Sequence, residues 1–250
     1  MHYNRSEIHS KTTMHAIVCQ QLHVNYGTTP IIKNVDLKII PGECFGLVGE
    51  NGAGKSTLIK SMLDLIAIKN GSCEFFGVSN RKVSSRSRLA FLPDRFVPPY
   101  YLKAKDFLQY MAALQGQPFN LAAAQNMLGL LDLNVAALDK SVRELSKGMT
   151  QKIGLAACFL SGRDLLILDE PMSGLDPRAR ARVKQQILAL KAQGKTLFFS
   201  SHMLADVEEI ADRMAVLHHG EIQFTGTPQA FMQQFNAPNM EAAYLTCVDV

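Results

Sequence analysis

Apolar and polar positions alternate along residues 17–26 and again along 35–40, the period-two pattern of strands that bury one face. Residues 44–48 break that rhythm: Cys44, Phe45, Gly46, Leu47 and Val48 form an unbroken apolar run, closed by Gly49. Similar runs recur at 165–168 and 196–200, each followed by a helical pattern. Runs without alternation mark strands covered on both faces, so their succession with helices predicts an α/β, doubly wound, largely parallel sheet. Residues 214–217 and 222–225 flank His218, His219, Gly220 and Glu221 and read as a hairpin. Between Arg95 and Leu160 the chain turns rich in Ala, Leu, Gln and Met without a clear strand, which predicts a helical subdomain inserted into the sheet domain. The expected organisation is a flexible extension over 1–14, with Met14 as an alternative start, an α/β core over 15–94 and 161–235, the inserted subdomain over 95–160, and a short helix over 236–250.

Composition narrows the classes. With 47% apolar and 19% charged residues in 250, the chain has the makings of a full core and is not a disordered or fibrous polymer. Lys and Arg number 26 against 22 Asp and Glu, an excess too weak to point to nucleic acid as a partner. Five cysteines, Cys19, Cys44, Cys73, Cys158 and Cys247, form no CxxC pair and read as reduced thiols, not a disulfide framework or zinc site. The first apolar stretch is too short and too polar for a signal-peptide core. The longest uncharged span, 107–131, is interrupted by Gln, Asn and Pro and does not read as a membrane span.

Chemistry concentrates at the strand ends. Gly49, Glu50, Asn51, Gly52, Ala53, Gly54, Lys55 and Ser56 match GxxxxGK[ST] between an apolar strand and a helix. Glycines let successive amides turn inward on phosphate oxygens, and the helix N-terminus adds partial positive charge. Lys55 supplies a full charge to β and γ oxygens, Ser56 a hydroxyl for Mg²⁺, and Thr57 contacts to the α-phosphate. The buried run at 165–168 ends in Asp169 and Glu170. A carboxylate there can hold Mg²⁺ through water, and its neighbour can polarise a water that attacks the γ-phosphate.

A phosphate loop serves kinases, GTPases, helicases and transport ATPases alike, and three further stretches choose among them. Leu145, Ser146, Lys147, Gly148 and Met149 open a helix, Ser173, Gly174, Leu175 and Asp176 follow the carboxylates, and Ser201 with His202 closes the next strand. In order and spacing these motifs resemble the ATP-binding subunits of ATP-binding cassette (ABC) transporters across about residues 15–235. The resemblance implies a P-loop NTPase fold, a RecA-like core with an antiparallel β subdomain. It implies that Ser146 and Gly148 cap the γ-phosphate of ATP held by a partner subunit. It also implies that His202 holds Glu170 and the water, that Asp176 bridges the pair, and that Tyr26 stacks on adenine. Lys147 and Met149 depart from the commonest Gly and Gln of that signature.

The clearest departure is Asp94, where most members carry Gln and some exporter-like members Glu. Its carboxylate suits Mg²⁺ but is short, which leaves direct or water-bridged coordination open. Residues 95–102, rich in aromatics and proline, correspond to the groove for a permease coupling helix, or alternatively pin the helical subdomain to the sheet. Arg178, Arg180, Arg182 and Lys184 read as a solvated helix face. The resemblance implies an ATPase that works as a homodimer or beside a related ATPase, at the cytoplasmic face of a membrane, on separate permease subunits, with export favoured. The alternative is a nucleotide-gated scaffold with weak hydrolysis. No NKxD-like stretch supports a GTPase.

Overall fold

The architecture, from a computed structural model that describes residues 14–249, holds two sheets. Most of the expected N-terminal extension lies outside the described residues. Strands β1 (Ile17–Tyr26), β2 (Thr29–Ile39), β4 (Asn70–Phe75) and β5 (Val78–Ser79) form an antiparallel sheet in the order β2-β1-β4-β5. The second sheet runs β10-β9-β3-β8-β7-β6, built from β3 (Cys44–Val48), β6 (Leu89–Leu92), β7 (Leu165–Leu168), β8 (Thr196–Ser201), β9 (Arg213–His218) and β10 (Glu221–Gly226). All its neighbours are parallel except the β9/β10 hairpin.

The unbroken apolar runs divide by parity between two cores. Cys44, Val48, Leu166, Leu168, Leu197 and Phe199 face one way, into a core shared with most of the helices. Phe45, Leu47, Leu165, Ile167 and Phe198 face the other, into a core shared with the antiparallel sheet and α1 (Lys55–Met62). A doubly wound sheet carries helices on both faces; here the second face is covered by α1 and an antiparallel sheet. Tertiary burial, not period, therefore explains why these strands carry no polar residue until their ends.

The remaining helices are α2 (Ala104–Leu114), α3 (Leu121–Leu130), α4 (Lys147–Phe159), α5 (Pro177–Ala192), α6 (Leu204–Ile210), α7 (Pro228–Gln234) and α8 (Met240–Val248). Residues 95–160 hold α2 to α4, and α4 is buried along Gln151–Phe159 in the same core as the sheet. Gly154 makes that approach possible, since a Cβ there would lie 2.7 Å from both Leu92 Cδ1 and Phe96 Cδ1. Ser146, Asp176, Thr227 and Asn239 cap four of these helices, each accepting an N–H three residues on.

Strands β4 and β6 are absent from the hydrophobic pattern: β4 opens on exposed Asn70, Gly71 and Ser72, and β6 has four residues. All five cysteines are free and buried, but Cys19 and Cys73 oppose one another on β1 and β4 with their sulfurs 3.4 Å apart. The hairpin turn is His219 and Gly220, both at positive φ (47° and 81°), with the twist of a two-residue loop. Gly220 N–H donates to Ala53 O (3.1 Å) and its carbonyl accepts from Lys33 N–H (2.8 Å), so this turn touches both sheets and the loop between β3 and α1.

Gly154→Val should overpack the α4 contact with Leu92 and Phe96 and lower stability by about 1–3 kcal/mol. Urea denaturation checks this; an unchanged midpoint would mean that α4 is not wedged against β6.

Candidate functional site

Strands β3, β7 and β8 are neighbours in one parallel sheet, so their C-terminal ends open on one edge, where ligands of α/β sheets bind. After β3 the backbone turns through Gly52 (φ +90°) and Gly54 (φ +108°) into α1, whose first turn carries no side-chain cap. Those amides are free for an anion. Gly49 and Ala53 serve the loop from behind: a Cβ on Gly49 would lie 2.5 Å from Leu217 O, and buried Ala53 carries the carbonyl held by Gly220.

The loop borders a cleft of about 550 Å³ lined by Tyr26, Ile31, Glu50, Asn51, Gly52, Gly54, Lys55, Ser56, Thr57, Asp94, Glu170, Ser173 and His202. Its size suits a small charged molecule, and its walls are mostly polar. Lys55 is 7% exposed. Its ammonium donates to the carbonyls of Gly49 (2.6 Å) and Glu50 (3.2 Å) and sits 3.2 Å from Glu170 Oε1.

Asp169 is 1% exposed at the end of β7. The β7/β8 register pairs Leu168 with Phe199, which sets Ser200 beside Asp169. Ser200 Oγ donates to Asp169 Oδ1 (2.6 Å) and accepts the Glu170 N–H (2.8 Å). Burial pushes the Asp169 carboxyl above the usual range, while the hydroxyls of Ser200 and Ser56 pull it back and the charges of Asp94 and Glu170 push it further up.

Glu170 takes a left-handed backbone (φ +49°), which turns its side chain into the cleft. One oxygen, Oε2, meets His202 Nδ1 at 2.8 Å; the other, Oε1, is buried and makes no hydrogen bond among the described residues. The Lys55 ammonium is near Oε1 but off hydrogen-bonding direction.

Ser56, Asp169 and Asp94 form an oxygen-only donor set that suits Mg²⁺. Among the described residues no three His, Cys, Asp or Glu side chains converge as a cage. That fits an ion that takes one or two protein oxygens and fills its remaining positions from water and phosphate.

Not every residue singled out in the sequence lines this cleft. Ser146 caps α4 by accepting the Met149 N–H (3.3 Å), and Gly148 packs close to Gly174 O, where a Cβ would lie 3.6 Å away. Asp176 caps α5 through the Ala179 N–H (2.9 Å), a bond that also holds its carboxyl below the usual range. The segments at 146–149 and 173–176 thus adjoin each other, and only Ser173 reaches the cleft.

The stretch at 95–102 divides between its two readings. Phe96 packs edge-on against Phe107 (5.6 Å between centroids) and pins α2, whereas Val97, Tyr100 and Tyr101 are exposed. The basic run is solvated at Arg178 and Arg182, as its pattern predicts, but half-buried at Arg180 and Lys184. Arg180 and Lys184 pair with Asp206 of α6, Lys184 also pairs with Glu209, and Arg178 pairs with Asp132 (3.0 Å).

Sequence reasoning gave Ser200 no role, although a serine inside an apolar run was its signal: a buried hydroxyl needs a partner, and the adjacent strand ends in one. No such signal marked Tyr244, which reaches the cleft's flank from α8.

The model of the family described as ABC transporter matches residues 32–173. An uncharacterized ABC transporter ATP-binding protein of Synechocystis sp. is 39% identical over 78% of this chain; the alignment spans 56% of that relative's length. The Nod factor export ATP-binding protein I of Paraburkholderia xenovorans is 31% identical over 87% of this chain and 72% of its own. A solved structure titled as the ATP binding subunit of an ABC transporter superposes with a TM-score of 0.84 at 28% identity, covering 93% of this chain and 99% of that one.

Ser200→Ala should leave the Glu170 amide and one lone pair of Asp169 unpaired in a buried setting, at a cost of about 1–3 kcal/mol. Chemical denaturation reads this; wild-type stability would show that the pair is not held through Ser200.

Proposed function

The chain belongs to the ABC transporter family as one of its ATP-binding proteins, and on that premise we propose that it is an ATPase subunit driving export through separate permease subunits. The carrying observation is the Glu170 carboxylate. It is suspended between Lys55 and His202 over a phosphate-sized loop, with one buried oxygen left without a hydrogen bond. A carboxylate so held is a base aimed at a proton that a bound water brings.

In this reading the free amides of α1 and the loop take the polyphosphate of ATP, and Lys55 gives its charge to the β and γ oxygens. Tyr26, half exposed at the cleft mouth, offers its ring to adenine. Glu170 Oε1 accepts the proton of the attacking water while His202, donating from Nδ1, fixes the other oxygen. Ser56, Asp169 and Asp94 are the oxygens that would hold Mg²⁺, which when bound offsets charge developing on the phosphate. Asp94, one methylene shorter than a glutamate at that position, would work through a bridging water.

Ser146 and Gly148 lie outside the cleft of their own chain, which supports a head-to-tail pair in which each subunit caps the nucleotide of the other. The partner is a second copy or a related ATPase. Such closure stores the binding energy of two nucleotides and releases it when the γ-phosphate leaves. Among the described residues no helix is long and apolar enough to cross a membrane; on the proposed reading the spanning work is done by separate permease subunits at whose cytoplasmic face this chain docks. Exposed Val97, Tyr100 and Tyr101 would meet them. The named relative concerned with Nod factor export supports the export direction.

Glu170→Gln should bind ATP with near wild-type affinity while hydrolysis falls by about 10²–10⁴-fold, and the variant should accumulate as an ATP-dependent dimer. Phosphate release beside sedimentation reads both quantities. Turnover close to wild type would remove Glu170 from the role of base, and a monomer at saturating ATP would remove the sandwich.

A further inference from the structure

Of the three side chains that meet in the cleft, Lys55, Glu170 and His202, the histidine is the most loosely held. It is 42% exposed, and its bond to Glu170 Oε2 (2.8 Å) is the one polar contact its ring makes among the described residues. The backbone beside it closes on itself, with Ser201 Oγ accepting the Met203 N–H (3.0 Å). Glu170 rides on a similar loop. Each loop leaves a strand of the parallel sheet and runs into a helix, β7 into α5 and β8 into α6. Register locks the two strands together, so the freedom left between Glu170 and His202 lies in how α5 and α6 sit on one another.

Helix α6 has little of its own to fix that position. It is seven residues long and has no side-chain cap at its start. Val207 holds it down on the sheet, since a Cβ on Gly46 of β3 would lie 2.8 Å from Val207 Cγ1, but apolar contact has no preferred direction. Direction comes from Asp206. This carboxylate is 4% exposed and takes Arg180 on Oδ2 and Lys184 on Oδ1, the latter at 3.7 Å. Arg180 stands one helical turn beyond Asp176, whose carbonyl accepts its amide (2.9 Å), and Asp206 stands four residues beyond His202. The ion pairs thus bolt together the starts of the two helices that follow the two reactive loops. Arg180 and Asp206 also line a cavity of about 100 Å³ together with Glu170, Ser173, Ser200 and His202.

A carboxylate buried to this extent carries a desolvation cost that a well-packed leucine would avoid, and what it supplies is a geometry that apolar contact leaves open. We propose that Asp206, through Arg180 and Lys184, is a positioning residue for hydrolysis: it fixes α6 against α5 and thereby sets His202 on Glu170. The inference rests on the ATP-hydrolysing reading above and deepens it. Asp206 does not line the nucleotide cleft, and the phosphate loop, Lys55 and Tyr26 are carried by other elements, so its loss acts on turnover and leaves nucleotide affinity in place.

Two variants of the full chain separate position from packing. Asp206→Asn keeps the volume and removes the charge, whereas Arg180→Met combined with Asp206→Leu replaces the ion pair by apolar contact, an exchange that commonly preserves stability. Each is compared with wild type in kcat and KM for MgATP, in urea midpoint, and in the nitrogen NMR resonances of the His202 ring. In both variants kcat should fall by about ten- to hundredfold while KM stays within about twofold of wild type. The His202 resonances should lose the signature of the Nδ1 bond to Glu170, and the midpoint of the double variant should stay near wild type. Recovery of kcat along with the midpoint in the double variant overturns the inference, because the pair would then be packing alone. So does a kcat for Asp206→Asn within about twofold of wild type, or failure of both variants to fold, which would make the pair a support of the whole fold. A wild-type chain that does not hydrolyse MgATP, or a Glu170→Gln variant that does so at the wild-type rate, overturns the functional reading itself, and both are seen without touching Asp206.

Discussion

A carboxylate almost wholly removed from water can stay in a fold only if hydrogen bonds replace its hydration, and Asp169 obtains them from the neighbouring strand. Ser200 donates to it and, with the same oxygen, accepts the amide of Glu170. This fixes more than one side chain. The bond holds Glu170 in a left-handed conformation that an L residue adopts reluctantly, and that conformation sends the Glu170 carboxylate toward Lys55 and His202. The register of two parallel strands thus decides where the reactive group points. A slip of one residue between β7 and β8 would exchange the two cores and remove the hydroxyl from the carboxylate at once.

Much of this was legible in the chain before any coordinates. The runs at 44–48 and 165–168 announced strands buried on both faces, and GxxxxGK[ST] with Asp169 and Glu170 named the edge at which ligand chemistry sits. Strand β4 was not legible, because its first half is exposed and polar and holds its place by pairing with β1, a long-range contact with no local signature. The antiparallel sheet that covers the second face is legible only through the family resemblance, while the alternation along 17–26 and 35–40 marks strands that bury one face, which serves there as well as a helix does. Charge patterns misled in a different way. Spacing along α5 suggested a solvated basic face, yet α6 brings Asp206 against Arg180 and Lys184, and only the fold supplies that neighbour.

On the proposed reading the chain is half of a machine in a geometric sense. Its cleft has a floor and two walls, and the helix start that would form the lid belongs to another subunit. The contact between Gly148 and Gly174 gives the 146–149 segment a fixed relation to the carboxylate loop within the same chain, so the state of one site is mechanically adjacent to the lid of the other. Asp176, capping α5 at that junction, contributes through rigidity: it ties the start of a sixteen-residue helix to the loop that follows Glu170.

Hairpin tips are ordinarily where a protein accepts added residues most easily. The His219–Gly220 turn is an exception. Its glycine is bonded on one side to the loop between β3 and α1 and on the other to β2, and a Cβ there would lie 2.0 Å from Ile31 O. An epitope tag, a fluorophore loop or a circular-permutation breakpoint placed at this tip would pull apart both sheets and the phosphate loop together. The turn at Gly77 between β4 and β5, where an added Cβ meets nothing within 4 Å, is by contrast a place in this fold where new sequence can be carried.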